Sequence, residues 1–379
     1  MVLPFRFGVN LTAPTSRTDW IQTCRRAEDL GYDVIGVPDH LGMPAPFPAL
    51  AIAAEATERP RLNTFVLNTP FYNPVLLARD VAGLDQLTGG RFELGLGSGY
   101  VEAEFEAAGI QFPSPGQRVK HLEDTVLTLR RLFRDPEYKP QPAQTDGPPL
   151  LIAGWGERGL RVAAEHGHIV AFTGAGTSDS GKLTLADAET TQKKTDYVRG
   201  LLGNRAASVE FNLLIQGIAA PEERDAALAY LTEYLPFGFG GEPEDLPTIL
   251  LGTPDRMADM LRERRERFGF NYITVLGHNI DKFAPLIERL KGERHTWFEA
   301  PVSRHYVRGG RTRPGGANVE HRMGRAHHRR GGVHRDSAIG RGGTATADAQ
   351  PSTTGSVRAG IRPGRSGVAG PQDGRAGAH

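Results

Sequence analysis

The sequence contains a single cysteine, Cys24, among its 379 residues. One thiol excludes an intramolecular disulfide framework and a cysteine-rich metal site. No stretch is long and apolar enough to span a membrane. The first residues, Met-Val-Leu-Pro-Phe-Arg-Phe-Gly, lack the basic and then apolar order of a signal peptide. We therefore expect a cytoplasmic protein with no membrane partner.

Motifs that define several other enzyme classes are also missing. The sequence has no histidine, cysteine and carboxylate spacing typical of a metal site, so we expect no metal. It has no Gly-x-Ser-x-Gly nucleophile elbow. The first predicted strand-to-helix turn, Asn10–Ser16, lacks the glycine-rich dinucleotide fingerprint. This last absence disfavours a doubly wound dinucleotide-binding sheet.

Charge is distributed unevenly along the chain. The net charge is +1, but residues 301–379 carry 14 arginines, no lysine and 4 acidic residues, whereas the other 300 residues carry −9. The chain has no leucine after Leu290 and no aromatic residue after Tyr306. A segment so poor in apolar residues cannot offset the entropy of ordering. We therefore divide the chain into a folded domain, residues 1–293, and a disordered tail, residues 294–379.

Three interpretations of the tail compete: a flexible linker, an Arg-Gly segment that binds nucleic acid through phosphates, and the frameshifted product of a GC-rich gene. We favour a frameshift or a functionless extension, because the composition changes abruptly. Nucleic-acid-binding segments of this type also interleave aromatic residues, which residues 307–379 lack. We do not expect the tail to bind nucleic acid.

Strand-like and helix-like segments alternate through the folded domain. The predicted strands are Phe5–Leu11, Val34–Val37, Leu62–Leu67, Phe92–Leu96, Leu150–Ala153, Ile169–Phe172, Val209–Ile218 and Tyr272–Leu276. The predicted helices are Arg17–Leu30, Leu50–Thr57, Pro74–Leu87, Arg118–Phe133, Glu157–His166, Leu183–Leu202, Pro221–Tyr234, Pro254–Phe268 and Lys282–Leu290. About eight such units in roughly 290 residues predict an α/β fold of the (β/α)8 TIM-barrel type.

The loops that follow the strands build the active site of such a barrel. At these positions His40 can donate a hydrogen bond or exchange a proton near neutral pH. Asp39 either orients the imidazole or caps the loop, and a turn with a solvated histidine is the alternative. Asn68 is most simply a turn residue. The other candidates at strand ends are Asn10, Thr69, Gly97, Ser98, Gly99, Gly154, Trp155 and Gly156.

Two glycine-rich turns favour a ligand over an unliganded surface loop. Backbone without side chains at Gly97–Gly99 allows close approach of a flat or phosphorylated ligand. Gly154–Gly156 directly opens a helix, whose free N–H groups form an anion site. A plain tight turn explains the second segment equally well, and Trp155 is either a ligand wall or loop packing. We interpret His121 and His166, both in helical patterns, as packing or surface residues.

Together these segments resemble one family, the luciferase-like flavin and deazaflavin oxidoreductases, over about residues 5–292. The resemblance is greatest to an actinobacterial group that uses the deazaflavin coenzyme F420. Its motifs occur in the family's order and spacing. They are Val37–Gly42, Phe65–Asn68, Asn73–Arg79, Leu84–Tyr100, Pro149–Gly154 and Leu250–Pro254.

The resemblance implies a role for each motif residue. His40 matches a histidine beside the reactive ring carbon that aids proton or hydride movement. Asn68 and Thr69 match a strand end where the family often has a non-prolyl cis peptide bond under the ring. The turns at Gly97–Gly99 and Gly154–Gly156 match segments that contact the ring with its ribityl chain and the phosphate. Tyr100 stands where sugar-phosphate dehydrogenases of the family have a glutamate proton donor, which argues against a sugar-phosphate substrate.

We therefore expect an oxidoreductase that transfers a hydride between coenzyme F420 and a small organic substrate. The first alternative is an FMN-dependent two-component monooxygenase, supplied with reduced flavin by a partner reductase. The second is a barrel that binds flavin without turnover. The resemblance also implies a homodimer, because members of the family are often dimers.

Overall fold

The computed structural model describes residues 3–12, 16–177, 183–234, 238–239 and 241–290. The strands are β1 (Arg6–Asn10), β2 (Val34–Val37), β3 (Arg61–Thr64), β4 (Leu67–Asn68), β5 (Phe92–Gly97), β6 (Leu150–Gly154), β7 (Ile169–Phe172), β8 (Ala175–Thr177), β9 (Leu183–Leu185), β10 (Glu210–Ile215), β11 (Gly217–Ala219), β12 (Gly238–Phe239), β13 (Ile249–Leu251) and β14 (Phe270–Leu276). The helices are α1 (Arg17–Asp29), α2 (Pro46–Ala56), α3 (Pro74–Leu87), α4 (Glu102–Ala107), α5 (Pro115–Arg134), α6 (Glu157–His166), α7 (Ala188–Leu202), α8 (Arg224–Tyr234), α9 (Pro254–Phe268) and α10 (Ile280–Leu290).

Parallel strands close into a barrel. Their order is β3-β2-β1-β14-β10-β7-β6-β5-β4, and β3 also pairs with β5, where Leu62 lies opposite Phe92. β3 and β4 are two parts of one barrel strand, interrupted between Thr64 and Leu67. The (β/α)8 prediction is therefore confirmed, and all eight predicted strands correspond to strands of the barrel wall. The carboxyl ends of these strands lie at one end of the barrel because the strands are parallel.

Local sequence explains where the helices of the wall begin. Proline is the first residue of α3, α5 and α9, a position where its missing N–H costs nothing. The side chains of Asn73 and Thr253 cap α3 and α9, and Ser114 forms a capping box with Gln117 at α5. These short-range signals are the reason that the helix order was readable from the sequence.

Three element predictions need correction, and one helix was not predicted. The helix predicted over Leu183–Leu202 begins only at Ala188, because residues 183–185 form β9 and pair with β8 and β12. The predicted strand Val209–Ile218 divides at Gln216, where β11 leaves the barrel and pairs with β13. The helix predicted from Leu50 begins at Pro46, and the short helix α4 was missed.

The non-prolyl cis peptide bond lies between Phe65 and Val66, three residues before the expected position at Asn68–Thr69. It falls in the interruption between β3 and β4. The resemblance thus predicted the correct strand and the wrong bond.

The amino-terminal end of the barrel is filled by buried ion pairs. Glu93 at the start of β5 accepts hydrogen bonds from Arg6 and from Arg61, the latter at 2.5 Å. Arg6 also pairs with Glu210 at 2.6 Å, and its guanidinium lies over the Tyr272 ring. Burial alone would raise the pKa of Glu93, but the two guanidinium groups lower it below its usual range. This end of the barrel holds its charges in place by mutual pairing.

Within the described residues, no helix has the length and apolar character needed to cross a membrane. The tail predicted over residues 294–379 and its nucleic-acid hypothesis lie outside the described residues.

Candidate active site at the carboxyl ends of the strands

A histidine–glutamate pair lies at the end of β2. His40 Nδ1 is 2.7 Å from Glu104 Oε1, and the Glu104 side chain is only 14% exposed. Because a carboxylate only accepts, Nδ1 carries the proton and donates it to Glu104. The other ring nitrogen, Nε2, is then the atom of His40 that is left to accept or deliver a proton. The ring of Tyr100 meets the imidazole edge-on, with centroids 6.1 Å apart.

Asp39 anchors the neighbouring strand end instead of orienting His40 directly. Its Oδ2 accepts a hydrogen bond from the backbone N–H of Asn68 at 2.9 Å, and the Tyr72 hydroxyl donates to the same carboxylate. Burial raises the pKa of Asp39, while these two hydrogen bonds oppose the rise. Asp39 therefore ties the loop after β2 to the end of β4.

The end of β4 and the turn after β5 form a cradle free of large side chains. Asn68 is 6% exposed and its Oδ1 has no hydrogen-bond partner within the described residues. A carbon atom added at Gly99 would collide with that oxygen, and one added at Gly97 would lie 2.7 Å from Val66 Cγ2. Gly99 also has a φ of 71°, which favours glycine. A side chain would therefore not fit at either position, and at Gly99 the backbone conformation also requires glycine.

Thr69 and Ser98 complete this cradle. Thr69 is fully buried, and its hydroxyl donates to the carbonyl of Gly97 at 2.8 Å. Its side chain therefore joins the two strand ends. Ser98, between the two glycines, is partly exposed.

Two further buried amides, those of Asn10 and Asn63, lie deeper in the barrel. A carbon atom added at Gly36 on β2 would lie 2.6 Å from Asn63 Oδ1 and 3.3 Å from Asn10 Oδ1. Neither oxygen has a hydrogen-bond partner in the described part of the chain, although both side chains are at least 95% buried. Buried acceptors without donors are costly, so this arrangement is suited to a ligand or water that supplies N–H or O–H groups.

The loop after β6 opens α6 without a side-chain cap. Gly156 is the N-cap residue and provides no hydroxyl or carboxylate for the first N–H groups. These groups are the donors that bind anions at a helix amino terminus. Gly154 has no room for a side chain, because an added carbon would lie 3.0 Å from the backbone of Gly159. Trp155 is partly buried and packs against the hydrophobic core.

Several site residues were missed by sequence reasoning. Glu104 lies on α4, whose Glu- and Ala-rich sequence ends at Gly109 with a φ of 68°. Helix-forming residues followed by such a glycine are a recognisable helix signal. Asn63 was also detectable, as a polar residue inside an apolar strand. Nothing local in the sequence indicated that Tyr72 reaches Asp39.

One group of possible metal ligands occurs among the described residues, away from this end of the barrel. Ligand atoms of Glu123, Glu165 and His166 lie within 4.8 Å of one another. However, Arg130 donates to His166 Nδ1 at 3.2 Å and to the His166 carbonyl at 2.7 Å. The Arg130 guanidinium, held by these two hydrogen bonds, caps the carboxyl end of α6 beside this group.

A closed parallel barrel whose strand ends carry a histidine–glutamate pair, glycine turns and an uncapped helix has the features of a barrel enzyme's active site. The chain belongs to the luciferase-like monooxygenase family, whose model matches residues 1–241.

Similar proteins in this family differ in cofactor. An F420-dependent glucose-6-phosphate dehydrogenase of Amycolatopsis mediterranei is 34% identical over 125 residues, which cover 30% of this chain and 37% of that protein. The oxygenase component of a flavin-dependent trigonelline monooxygenase of Acinetobacter baylyi is 27% identical over 172 residues, or 41% of this chain and 48% of that one. The chain therefore matches about half or less of the length of these two curated relatives.

A solved F420-dependent secondary alcohol dehydrogenase, in complex with an F420-acetone adduct, has the same fold. Its TM-score is 0.59 at 18% identity, and the match covers 76% of this chain and 99% of that structure.

Proposed function

We propose that this chain is an oxidoreductase that binds coenzyme F420 at the carboxyl end of its barrel and transfers a hydride between the deazaflavin and a small organic substrate. The observation that carries the proposal is the pairing of His40 with Glu104 next to the cradle of Asn68 and Gly99. The 34% identity with an F420-dependent dehydrogenase supports the choice of cofactor.

The residues present fit such a cofactor. A deazaflavin ring has N–H and carbonyl groups along one edge, and the unpaired oxygens of Asn10, Asn63 and Asn68 accept hydrogen bonds from N–H groups. Gly97 and Gly99 leave the space that a flat ring needs. The uncapped N–H groups after Gly156 fit the phosphate.

A bound deazaflavin supplies the hydride chemistry at a ring carbon. The chain's own part is positioning and proton management. Glu104 fixes the Nδ1–H tautomer of His40, which leaves Nε2 to hold or give a proton to the substrate oxygen or nitrogen. Asp39 keeps the end of β4 in place through the Asn68 N–H. The Tyr100 ring packs edge-on against the imidazole and limits its movement.

Binding of purified protein to F420 and to FMN tests the proposal, read by quenching of the intrinsic tryptophan fluorescence, to which Trp155 contributes. We expect saturable F420 binding, with a weaker response to FMN. Turnover is then sought with alcohols, ketones and activated alkenes, followed by loss or gain of the deazaflavin absorbance. Tight FMN binding without F420 binding would refute the choice of cofactor.

The second candidate function is an FMN-dependent monooxygenase, favoured by the likeness to a flavin-dependent oxygenase component. In that case a flavin reductase is the required partner, and product formation needs oxygen as well as reduced FMN. An assay under nitrogen separates the two candidates, because hydride transfer from reduced F420 continues without oxygen. We also propose that the protein is a homodimer. Light scattering, which measures the molar mass in solution, tests this.

A further inference from the structure

The first turns of α5 contact both halves of the candidate cofactor cradle. Arg118 Nε donates to the carbonyl of Gly99 at 3.0 Å, and Nη1 donates to the carbonyl of Pro113 at 2.5 Å. The guanidinium also lies over the Phe112 ring, 4.2 Å from its centroid. Arg118 is only 9% exposed, so these contacts hold it in one arrangement. The carbonyl of Gly99 thus faces α5.

His121 lies three residues further along the same helix face. Its Nε2 is 3.1 Å from the carbonyl of Thr69. Because a carbonyl only accepts, Nε2 carries the proton and donates it. Thr69 in turn donates its hydroxyl to Gly97. Arg118 and His121 therefore hold the two strand ends that meet at the cradle.

The first turn of α5 also touches α6, the helix that follows the loop after β6. A carbon atom added at Gly116 would lie 2.7 Å from Arg158 Nη1, so the Arg158 side chain rests against the α5 backbone. Arg158 lies in the first turn of α6, two residues after Gly156. One short stretch of α5 thus contacts two of the segments assigned to the cofactor, the end of β4 and the turn after β5, and the helix that begins at the third.

We propose that Arg118 and His121 are positioning residues, which hold the carbonyls of Gly99 and Thr69 away from the cofactor and so keep the cradle open. The cofactor part of this inference rests on the function proposed above. A purely structural role in α5 packing makes a different prediction, because it would lower global stability without a local change in the two strand ends.

The test compares Arg118→Met with Arg131→Met, an exposed arginine on the same helix. In cofactor-free protein, we expect Arg118→Met to speed amide hydrogen exchange in residues 97–100, with Arg131→Met unchanged. We expect F420 binding to weaken at least tenfold in the first variant alone. Arg118→Lys, which keeps one charged donor, should recover part of the affinity.

His121→Leu provides an independent arm. It should speed exchange in residues 68–71 more than in residues 97–100, because His121 bonds only to the first segment. If Arg118→Met fails to fold, this variant decides the question. Unchanged exchange in both segments, or equal effects in Arg131→Met, overturns the inference. Failure of the wild-type protein to bind F420 or FMN refutes the proposed function, while the exchange measurement still decides whether the two residues position the cradle.

Discussion

The two ends of the barrel are built on opposite principles. At the amino-terminal end, the buried charges of Arg6, Arg61 and Glu93 face one another, and the partly buried Glu210 pairs with Arg6. Towards the carboxyl end, the buried amide oxygens of Asn10 and Asn68, and deeper in the barrel that of Asn63, have no partner within the described residues, and glycines replace side chains. The charges at the amino-terminal end are paired with one another, whereas the carboxyl end has hydrogen-bond acceptors and space that are available to a ligand.

This difference assigns stability to one end and function to the other, as is usual in such barrels. Residues Thr88–Tyr100, most of the motif Leu84–Tyr100, span both ends. Gly89 and Gly90 have positive φ angles in the turn before β5, and Arg91 there donates to the carbonyls of Ala54 and Pro60. Gly97 and Gly99 lie at the opposite end of the same strand. Half of the most recognisable motif is therefore structural.

The largest expected effect lies at the amino-terminal end. Glu93→Gln removes the negative charge that faces Arg6 and Arg61, leaving two buried guanidinium groups undercompensated. We expect a loss of about 3–5 kcal/mol in unfolding free energy, measured by urea denaturation. Asp124→Asn, which breaks an exposed pair with Lys120, should leave the midpoint unchanged. A loss below about 1 kcal/mol would show that the ion pairs at this end are not a source of stability.

At the carboxyl end, His40→Ala should impair turnover without unfolding the protein. We expect kcat to fall by about 10²–10⁴, the usual contribution of a general acid or base. Cofactor affinity and thermal midpoint should change little. His168→Ala is the matched control at the opposite end, since His168 Nδ1 accepts from the Leu150 N–H, and it should cost stability but not turnover. Full turnover in His40→Ala would exclude the proposed role.

A smaller effect should follow from Glu104→Gln, which keeps the shape of the side chain but removes its charge. We expect kcat to fall about tenfold, which corresponds to a rise of about 1.4 kcal/mol in the activation barrier. The reason is that a neutral amide holds the Nδ1–H of His40 less firmly, so that Nε2 is less well placed to transfer a proton. Glu106→Gln on the exposed face of α4 is the control. Equal kcat values in the two variants would mean that Glu104 serves only to pack α4.

The smallest expected effect concerns pH. Burial and the neighbouring Arg130 charge lower the pKa of His166, which is 6% exposed. The unfolded chain therefore binds more protons than the folded one as pH falls through about 6.5, and stability declines. His166→Gln keeps an acceptor for Arg130 and does not titrate, so it should flatten the decline between pH 7.5 and 5.5 in urea titrations. An unchanged slope would contradict the buried neutral form.

Much of the fold was predictable because its signals are local. Apolar runs such as Phe92–Leu96 are too short for a helix, and prolines such as Pro74 mark helix starts. Prediction failed where tertiary pairing overrode local character. Leu183–Leu185 precedes a helical pattern, yet it is a strand because β8 and β12 supply partners for its backbone. Similarly, β10 ends at Ile215 because the residues that follow it form β11 and pair with β13.

The sequence by itself determined the eight-strand order, the family resemblance and the strand ends that carry candidate residues, since each depends on periodicity and on motifs within a few residues. Only the tertiary structure decided which partners these residues have. Glu104 lies 64 residues from His40, and Arg118 lies 19 residues from Gly99. No local pattern encodes such contacts, because they arise only when closure of the barrel brings separate loops to one end.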